Sequence, residues 1–180
     1  VIVQTMQATI RELNLPARTD EQCASMIGLR LVEIPAVLFP ECGLDGEFYA
    51  ETYRRLFKIY DREGAVKLYP NVVETLVELK NRGYILTIAS SRSRKTLVKY
   101  VEDLGLSEHI SYILGADDVV NGKPDPEPVN RTLEKYGFNP QDAIVVGDTE
   151  YDIMMGKNAG TKACGVTYGN GSRESLSEAD

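Results

Sequence analysis

The feature that most constrains the fold is a short apolar run that ends abruptly in acidic residues. Residues 143–146 read Ala-Ile-Val-Val and predict a buried parallel strand, which Gly147 and Asp148 terminate. Asp152 follows four residues after Asp148, where a helix is predicted to begin. Ligands bind at the carboxyl ends of strands in open α/β sheets, and two close carboxylates without Cys or His suit Mg²⁺. The alternative is structural, with one aspartate capping the helix and the other in its first turn.

A second apolar run ends in hydroxyl side chains. Residues 84–89 predict another strand, and Ser90 and Ser91 follow it directly before a helix predicted near residues 93–104. The Ser90 hydroxyl can donate a hydrogen bond, and free backbone N–H groups at this position favour an anion. The segment therefore predicts a phosphate-binding turn. The alternative is that Ser90 only caps the helix.

A proline-bounded loop carries a candidate cation. Residues 121–126 read Asn-Gly-Lys-Pro-Asp-Pro, and the two prolines exclude a regular strand and predict a fixed loop before the next helix. Lys123 would then be a positioned positive charge. The alternative for a single loop lysine is that it is simply solvated.

Composition excludes several classes of partner. The net charge is −7, and the 20 Lys and Arg residues form no basic stripe, which argues against nucleic acid and anionic membranes as main partners. No apolar run approaches the ~18 residues of a membrane span. Three widely separated cysteines show no zinc-binding spacing and indicate reduced thiols in a cytoplasmic protein.

The pattern of elements changes near residue 64. Residues 1–64 read as helical throughout, with a capping box at Thr19 and Gln22 and an aromatic stripe (Tyr53, Phe57 and Tyr60) that predicts a helix-bundle core. From residue 65, strands predicted near 84–89, 110–114, 143–147 and 161–166 alternate with helices, which indicates an α/β fold with a parallel sheet. One of those helices is predicted to be capped by Asn71, with Glu74 at its third position, and closed by Gly83. Residues 61–64 are predicted to form a turn and hinge.

Three further positions have two possible interpretations each. His109, the single histidine, is predicted to lie in a surface loop rather than to act in catalysis. Asp117 and Asp118 are read as solvated acids at a helix start, with a supporting role at a metal site as the alternative. Arg30 lies in a predicted turn among the helices, either as a surface arginine or as a ligand for an anion.

The order of these motifs resembles the haloacid dehalogenase-like hydrolases, and most of all their phosphoglycolate phosphatase-like branch. The second, third and fourth motifs of that family match at Ser90, at Lys123, and at Gly147-Asp148 with Asp152. Segments 68–72, 83–84, 115–119 and 158–160 are similar as well. The resemblance implies an α/β fold with a parallel-sheet Rossmann-like core, residues 65–180, and a helical cap domain, residues 1–64.

The resemblance also implies a chemistry. An aspartate attacks the phosphorus of a small phosphate monoester, and water cleaves the resulting aspartyl-phosphate. Mg²⁺ would be bound by Asp148, with Asp152 either ligating it through water or orienting Lys123. Ser90 and Ser91 would bind a phosphoryl oxygen and Lys123 would stabilise developing charge. Arg30 would contact the leaving group from a cap that closes over the site.

One family motif is absent. The nucleophile lies in an Asp-x-Asp motif, and these 180 residues contain none. We therefore expect the chain to be a fragment of a longer phosphatase, with a truncated first cap helix, without the first strand and without the end of the core. The expected protein is cytoplasmic, a monomer or weak homodimer, and acts on a small phosphorylated metabolite. The alternatives are a non-catalytic phosphate-binding or interaction protein on the same fold, and a sugar-phosphate mutase.

Overall fold

A computed structural model describes residues 1–62 and 64–180, so the part of the predicted hinge that falls on Glu63 lies outside the described residues. The α-helices are α1 Ile2–Glu12, α2 Asp20–Ala24, α3 Ile34–Leu38, α4 Gly46–Tyr60, α5 Val72–Asn81, α6 Arg94–Asp103, α7 Glu127–Tyr136 and α8 Glu150–Asn158. The strands are β1 Thr87–Ala89, β2 Tyr112–Leu114, β3 Ile144–Gly147 and β4 Lys162–Gly165. Short 3₁₀ turns occupy Pro40–Cys42, Ala116–Asp118 and Pro140–Asp142.

The first four helices pack around their own apolar core. Met6 and Ile10 of α1 lie against Tyr49 and Tyr53 of α4, and all four side chains are buried. Their spacing places one apolar stripe of each helix toward the other, and burial of such stripes stabilises the pair. The predicted aromatic stripe is thus core at Tyr53, while Phe57 packs on its edge.

The predicted capping box at the start of α2 is confirmed. The Thr19 hydroxyl accepts from the Gln22 N–H at 3.2 Å, and the Gln22 side chain accepts from the Thr19 N–H at 2.8 Å. Two backbone donors that a helix start would leave unpaired are satisfied locally.

The predicted parallel pairing is confirmed, but the strands form two pairs. Thr87–Ala89 pairs with Tyr112–Leu114, and Ile144–Gly147 pairs with Lys162–Gly165. In the described part of the chain no ladder joins β1 to β3. The sequence pattern predicts strands and their direction, whereas the continuity of a sheet depends on contacts between distant segments.

The two pairs share a helical layer on one side. Ala89 of β1 and Val145 of β3 pack against a buried cluster from α7 and α8 that includes Leu133 and Met155. The opposite face of β3 is open, because Ile144 and Val146 are 58% and 59% exposed. Ala89 and Val145 thus bring β1 and β3 against one helical layer.

One local prediction is wrong and two are right in part. Asn71 occupies the position before α5, but its φ of 63° is left-handed and its side chain makes no capping hydrogen bond. His109 lies in a turn, as predicted, but it is half-buried and its Nδ1 has no hydrogen-bond partner among the described residues. Asp117 and Asp118 lie in a short helical turn, as predicted, and Asp117 is exposed, but their carboxylates also accept from the Arg94 N–H and the Gly115 N–H at 2.6 and 2.8 Å. The differences depend on a backbone conformation or a distant partner that residue type does not determine.

Among the residues that the structure describes, no helix combines the length and the apolar character needed to cross a bilayer.

Candidate active site

Four of the predicted site residues line one cleft. Arg30, Ser90, Ser91 and Lys123 line this cleft, with Gly115 and Gly122 forming part of its wall. They come from the helical segment, from the turn after β1 and from the proline-bounded loop.

Two hydrogen bonds of Ser90 fix the turn after β1. The Ser90 N–H donates to the Leu114 carbonyl at 3.0 Å, which extends the β1–β2 ladder by one residue. The Ser90 Oγ accepts from the Arg92 N–H at 3.3 Å. The Ser91 N–H has no acceptor among the described residues, and the helix is preceded by Ser93 at its cap position. Ser90 is therefore not the helix cap, and its hydroxyl proton remains available to a ligand.

Lys123 is positioned by an ion pair with Asp152. The Lys123 Nζ donates to Asp152 Oδ1, and the two side chains are only 12% and 9% exposed. The peptide bond that follows Lys123 is cis. Asp152 Oδ2 accepts from the Thr149 N–H at 3.1 Å and the Thr149 hydroxyl at 2.7 Å. Both carboxylate oxygens thus accept hydrogen bonds, and the contact of Oδ1 is the one that the orienting role expected for Asp152 requires.

Burial and charge act in opposite directions on Asp152. Burial raises its pKa, but the Lys123 ammonium and the two Thr149 donors outweigh burial and hold the pKa below its ordinary value. Lys123 is therefore a cation anchored to an ionised carboxylate. Removing one member of such a buried pair leaves an uncompensated charge.

We expect the Asp152 carboxylate to stabilise the fold only above its folded pKa. A depressed folded pKa contributes stability that is present above the unfolded value of about 3.9 and is lost as the pH falls through the folded pKa. Asp152→Asn should reduce the free energy of unfolding at neutral pH and should converge with the wild type at strongly acidic pH. Urea unfolding at a series of pH values measures this, with Asp103→Asn, at an exposed position of α6, as the control. Parallel curves for the wild type and Asp152→Asn would contradict it.

The Asp148 carboxylate is fixed by hydrogen bonds from a loop that was not predicted from the sequence. Its Oδ2 accepts from the Asn170 N–H at 2.9 Å and from the Asn170 Nδ2 at 2.8 Å. The Gly171 N–H donates to the Asp148 carbonyl at 2.7 Å, and a Cβ at Gly169 would lie 2.2 Å from Asp148 Oδ2. Gly169-Asn170-Gly171 is visible in the sequence as a turn, but nothing local links it to a carboxylate 22 residues earlier.

The arrangement fits a hard cation that is shared with a phosphate. Among the described residues, no group of three or more His, Cys, Asp or Glu side chains is placed to hold a metal ion. Asp148 Oδ1, however, has no partner in the described chain, while Oδ2 is fixed by Asn170. Mg²⁺ binds proteins through one or two carboxylates and completes its shell with water and substrate phosphate. Asp148 does not line the cleft itself, and it offers one oriented oxygen, Oδ1, directly after the carboxyl end of β3.

Arg30 reaches the cleft from a loop that is fixed at several points. The Arg30 Nη1 donates to the Val120 carbonyl at 2.8 Å, and the Arg30 N–H donates to Glu33 Oε2 at 3.1 Å. The Ser91 hydroxyl donates to the Gly28 carbonyl at 2.5 Å. Ser91 therefore contacts the loop of Arg30 with its side chain, while its N–H has no acceptor in the described part of the chain.

Comparison with known proteins identifies the family. A family model described as haloacid dehalogenase-like hydrolase matches residues 1–166. A crystal structure of a haloacid dehalogenase-like hydrolase from Bacteroides fragilis superimposes with a TM-score of 0.90 over 98% of this chain and 84% of that one, at 24% identity. At that identity the structural likeness shows the fold alone.

Two curated relatives carry different printed activities. A pyrophosphatase PpaX from Bacillus velezensis is 41% identical over 114 residues, or 63% of this chain, and the match spans about half (53%) of that relative. A phosphoglycolate phosphatase from Vibrio cholerae is 31% identical over 179 residues, covering 94% of this chain and 78% of the relative.

Proposed function

The chain belongs to the haloacid dehalogenase-like hydrolases, and we propose that it provides the phosphate-binding and cap elements for Mg²⁺-dependent hydrolysis of a small phosphate monoester. The observation that carries the proposal is the cleft in which Ser90, Ser91 and Lys123 meet at the carboxyl ends of the strands. A hydroxyl, a free N–H and a fixed cation are the groups that recognise a phosphoryl group.

Each residue has a distinct role in the proposal. The Ser90 hydroxyl and the Ser91 N–H donate to phosphoryl oxygens and fix the orientation of the group. Lys123 stabilises negative charge as it develops, and Asp152 is a positioning residue that keeps the ammonium in place before the substrate arrives. Preorganisation of this kind avoids the cost of reorienting the cation during the reaction.

Asp148 would hold the Mg²⁺ ion through Oδ1, with Asn170 fixing its carboxylate. When bound, the cation supplies charge neutralisation at the phosphoryl oxygens. By resemblance to the family, the attacking group is the leading aspartate of an Asp-x-Asp motif, which is not among these 180 residues. The chain itself supplies binding, orientation and exclusion of water.

The printed names of the two relatives suggest a compact substrate. One acts on phosphoglycolate and the other on pyrophosphate by name, and we propose a small phosphorylated metabolite of that size for this chain. The absence of a basic stripe from a chain of net charge −7 supports a partner that is neither nucleic acid nor membrane, and a cytoplasmic setting is proposed with it.

The proposal is tested by the coupling between Mg²⁺ and phosphate. Inorganic phosphate should bind the 180-residue chain more tightly when Mg²⁺ is present, because the cation offsets repulsion from Asp148. In Asp148→Asn this enhancement should disappear, while Mg²⁺-free phosphate affinity should be equal or higher. Asn170→Ala should retain part of the enhancement, since Asp148 keeps its charge but loses its orientation. Calorimetric titration with and without Mg²⁺ measures all three.

Asp103→Asn is the matched control, because it makes the same chemical change on the exposed surface of α6. It should retain the full Mg²⁺ enhancement. An equal Mg²⁺ enhancement in the wild type and in Asp148→Asn would contradict the assignment of Asp148 as the metal ligand. Absence of phosphate binding by the wild type would contradict the proposed function.

A further inference from the structure

The side chain of Arg92, which directly follows the two serines of the cleft, contacts two aromatic rings. Its guanidinium carbon lies 5.5 Å from the centre of the Phe57 ring, on α4, and 5.3 Å from the centre of the Tyr100 ring, on α6. A guanidinium within about 6 Å of a ring centre is attracted by the negative face of the ring. The two rings therefore fix a charged side chain at the residue that follows the phosphate-binding turn.

Both rings are themselves tied to α4. Phe57 stacks on the buried Tyr53 of the same helix, with the ring centres 5.7 Å apart. The Tyr100 hydroxyl donates to Asp61 Oδ1 at 2.7 Å, and Asp61 directly follows α4. Burial raises the pKa of Tyr100 to about 12, and the hydrogen bond to Asp61 acts in the same direction, so the phenol remains a donor at neutral pH. The Arg92 guanidinium thus lies against groups that belong to α4 or are held by its end.

The backbone of Arg92 contacts the cleft at two points. Its N–H donates to Ser90 Oγ at 3.3 Å, and its carbonyl accepts from the Ala116 N–H at 2.7 Å. A hydroxyl oxygen that accepts from a fixed N–H directs its own proton elsewhere, and the Ser90 proton is the donor assigned to the phosphoryl group. A Cβ at Gly115, which lines the cleft, would lie 2.8 Å from the Arg92 carbonyl oxygen. A shift of the Arg92 backbone would therefore move both the Ser90 hydroxyl and the cleft wall.

We propose that Arg92 is a positioning residue whose guanidinium, fixed by Phe57 and Tyr100, keeps its own N–H in place and so orients the Ser90 hydroxyl toward the phosphoryl group. The inference rests on the proposed function and adds a residue that acts through Ser90, since Arg92 is not among the residues that line the cleft. It also gives α4 an influence on phosphate affinity without a contact to the ligand.

The test is a double-mutant cycle between Arg92 and Ser90, with inorganic phosphate as the probe. Calorimetric titration of the 180-residue chain in Mg²⁺-free buffer at constant ionic strength gives the affinities. Arg92→Gln should weaken phosphate binding by about 5- to 30-fold, the effect of losing one or two cation–π contacts. In a Ser90→Ala background the same change should alter the affinity by less than about twofold, because the hydroxyl through which Arg92 acts is already missing.

Phe57→Leu tests the anchoring of the guanidinium without changing any charge. It removes the ring face but retains apolar volume, Arg92 and Ser90, and it should weaken phosphate binding by about 2- to 5-fold. It should have no further effect in Arg92→Gln. Phe48→Leu is the matched control, because it makes the same chemical change at a 53% exposed position of α4 and should leave the affinity unchanged. If Arg92→Gln does not fold, Phe57→Leu with and without Ser90→Ala makes the same comparison.

The outcomes separate this inference from the function on which it rests. Additive losses in Arg92→Gln and Ser90→Ala would overturn the inference and leave the phosphate site intact, because Arg92 would then act through its charge alone. Wild-type phosphate affinity in Phe57→Leu, with only a lower unfolding temperature, would also overturn it, since the ring contacts would then only attach α4 to α6. No binding of inorganic phosphate by the wild type would overturn the proposed function and this inference with it.

Discussion

Replacing Lys123 with alanine is expected to abolish phosphate binding by this chain and, in a catalytically competent form of the protein, to lower turnover by about 10²–10³-fold. The reason is electrostatic, because Lys123 is the cation that the structure fixes in the cleft with the Ser90 and Ser91 donors. The same change leaves Asp152, whose side chain is 9% exposed, as an unpaired buried carboxylate. Loss of one partner of a buried pair costs about 3–5 kcal/mol of stability.

A double variant separates these two effects. Lys123→Met with Asp152→Asn removes both charges but keeps an acceptor for the Thr149 N–H, so stability should recover relative to Lys123→Ala. Phosphate binding should remain absent, because the cation is still missing. Urea unfolding and calorimetric titration of the same preparations measure both quantities. Phosphate affinity within twofold of the wild type in Lys123→Ala would assign Lys123 a structural role only.

Lys123→Arg completes this series. The charge is retained, but a planar fork replaces a compact ammonium that Asp152 Oδ1 holds in a nearly buried position. We expect phosphate affinity well below the wild type, since Arg and Lys are not interchangeable where geometry is fixed.

Features set by neighbouring residues could be predicted from the sequence. The capping box of Thr19 and Gln22 spans four residues, and each member satisfies a backbone group of the other. The strand ends at Ser90 and Asp148 follow from apolar runs that stop at polar residues, and their elements are the ones that the structure shows. In these cases the cause lies within a few residues, and a pattern captures it.

Features set by long-range contacts could not be predicted. Arg30 and the Val120 carbonyl are separated by 90 positions, and Asn170 meets Asp148 across 22. Spacing alone left open whether Asp152 ligates a metal or orients Lys123, because that depends on which donors face each oxygen. The loop Gly169-Asn170-Gly171 contains ordinary turn residues, and only the fold gives them a role beside Asp148. Site residues on one βα turn can be recognised from the neighbouring sequence. Their partners depend on how the fold brings distant segments together.

The net charge of the whole chain likewise does not predict the charge of the cleft. A net charge of −7 indicates an acidic surface, yet the cleft is lined by Arg30 and Lys123. Binding of an anion is governed by the nearest groups, because mobile salt screens charges beyond a Debye length of about 8–10 Å. An acidic chain can therefore hold a phosphate group in a locally basic cleft.

The last prediction separates binding from chemistry. The 180 residues as printed are expected to bind inorganic phosphate and to show no turnover of any phosphate ester, with or without Mg²⁺. Hydrolysis through a covalent intermediate needs a positioned nucleophile, and an Asp-x-Asp motif does not occur in this sequence. The remaining groups orient the substrate and stabilise its charge, but none of them is assigned to attack phosphorus. ³¹P NMR of phosphoglycolate and pyrophosphate incubated with the chain measures free phosphate directly.

If the wild-type preparation releases phosphate, the Lys123→Ala variant identifies the source of that activity. Release of phosphate that persists in Lys123→Ala comes from another enzyme in the preparation, because that variant is expected to have lost the phosphate site. Mg²⁺-dependent release by the wild type that Lys123→Ala and Asp148→Asn both abolish would contradict the prediction. The attacking group would then lie among these 180 residues. Asp148 Oδ1, the one carboxylate oxygen at the site without a partner in the described chain, would be the first candidate.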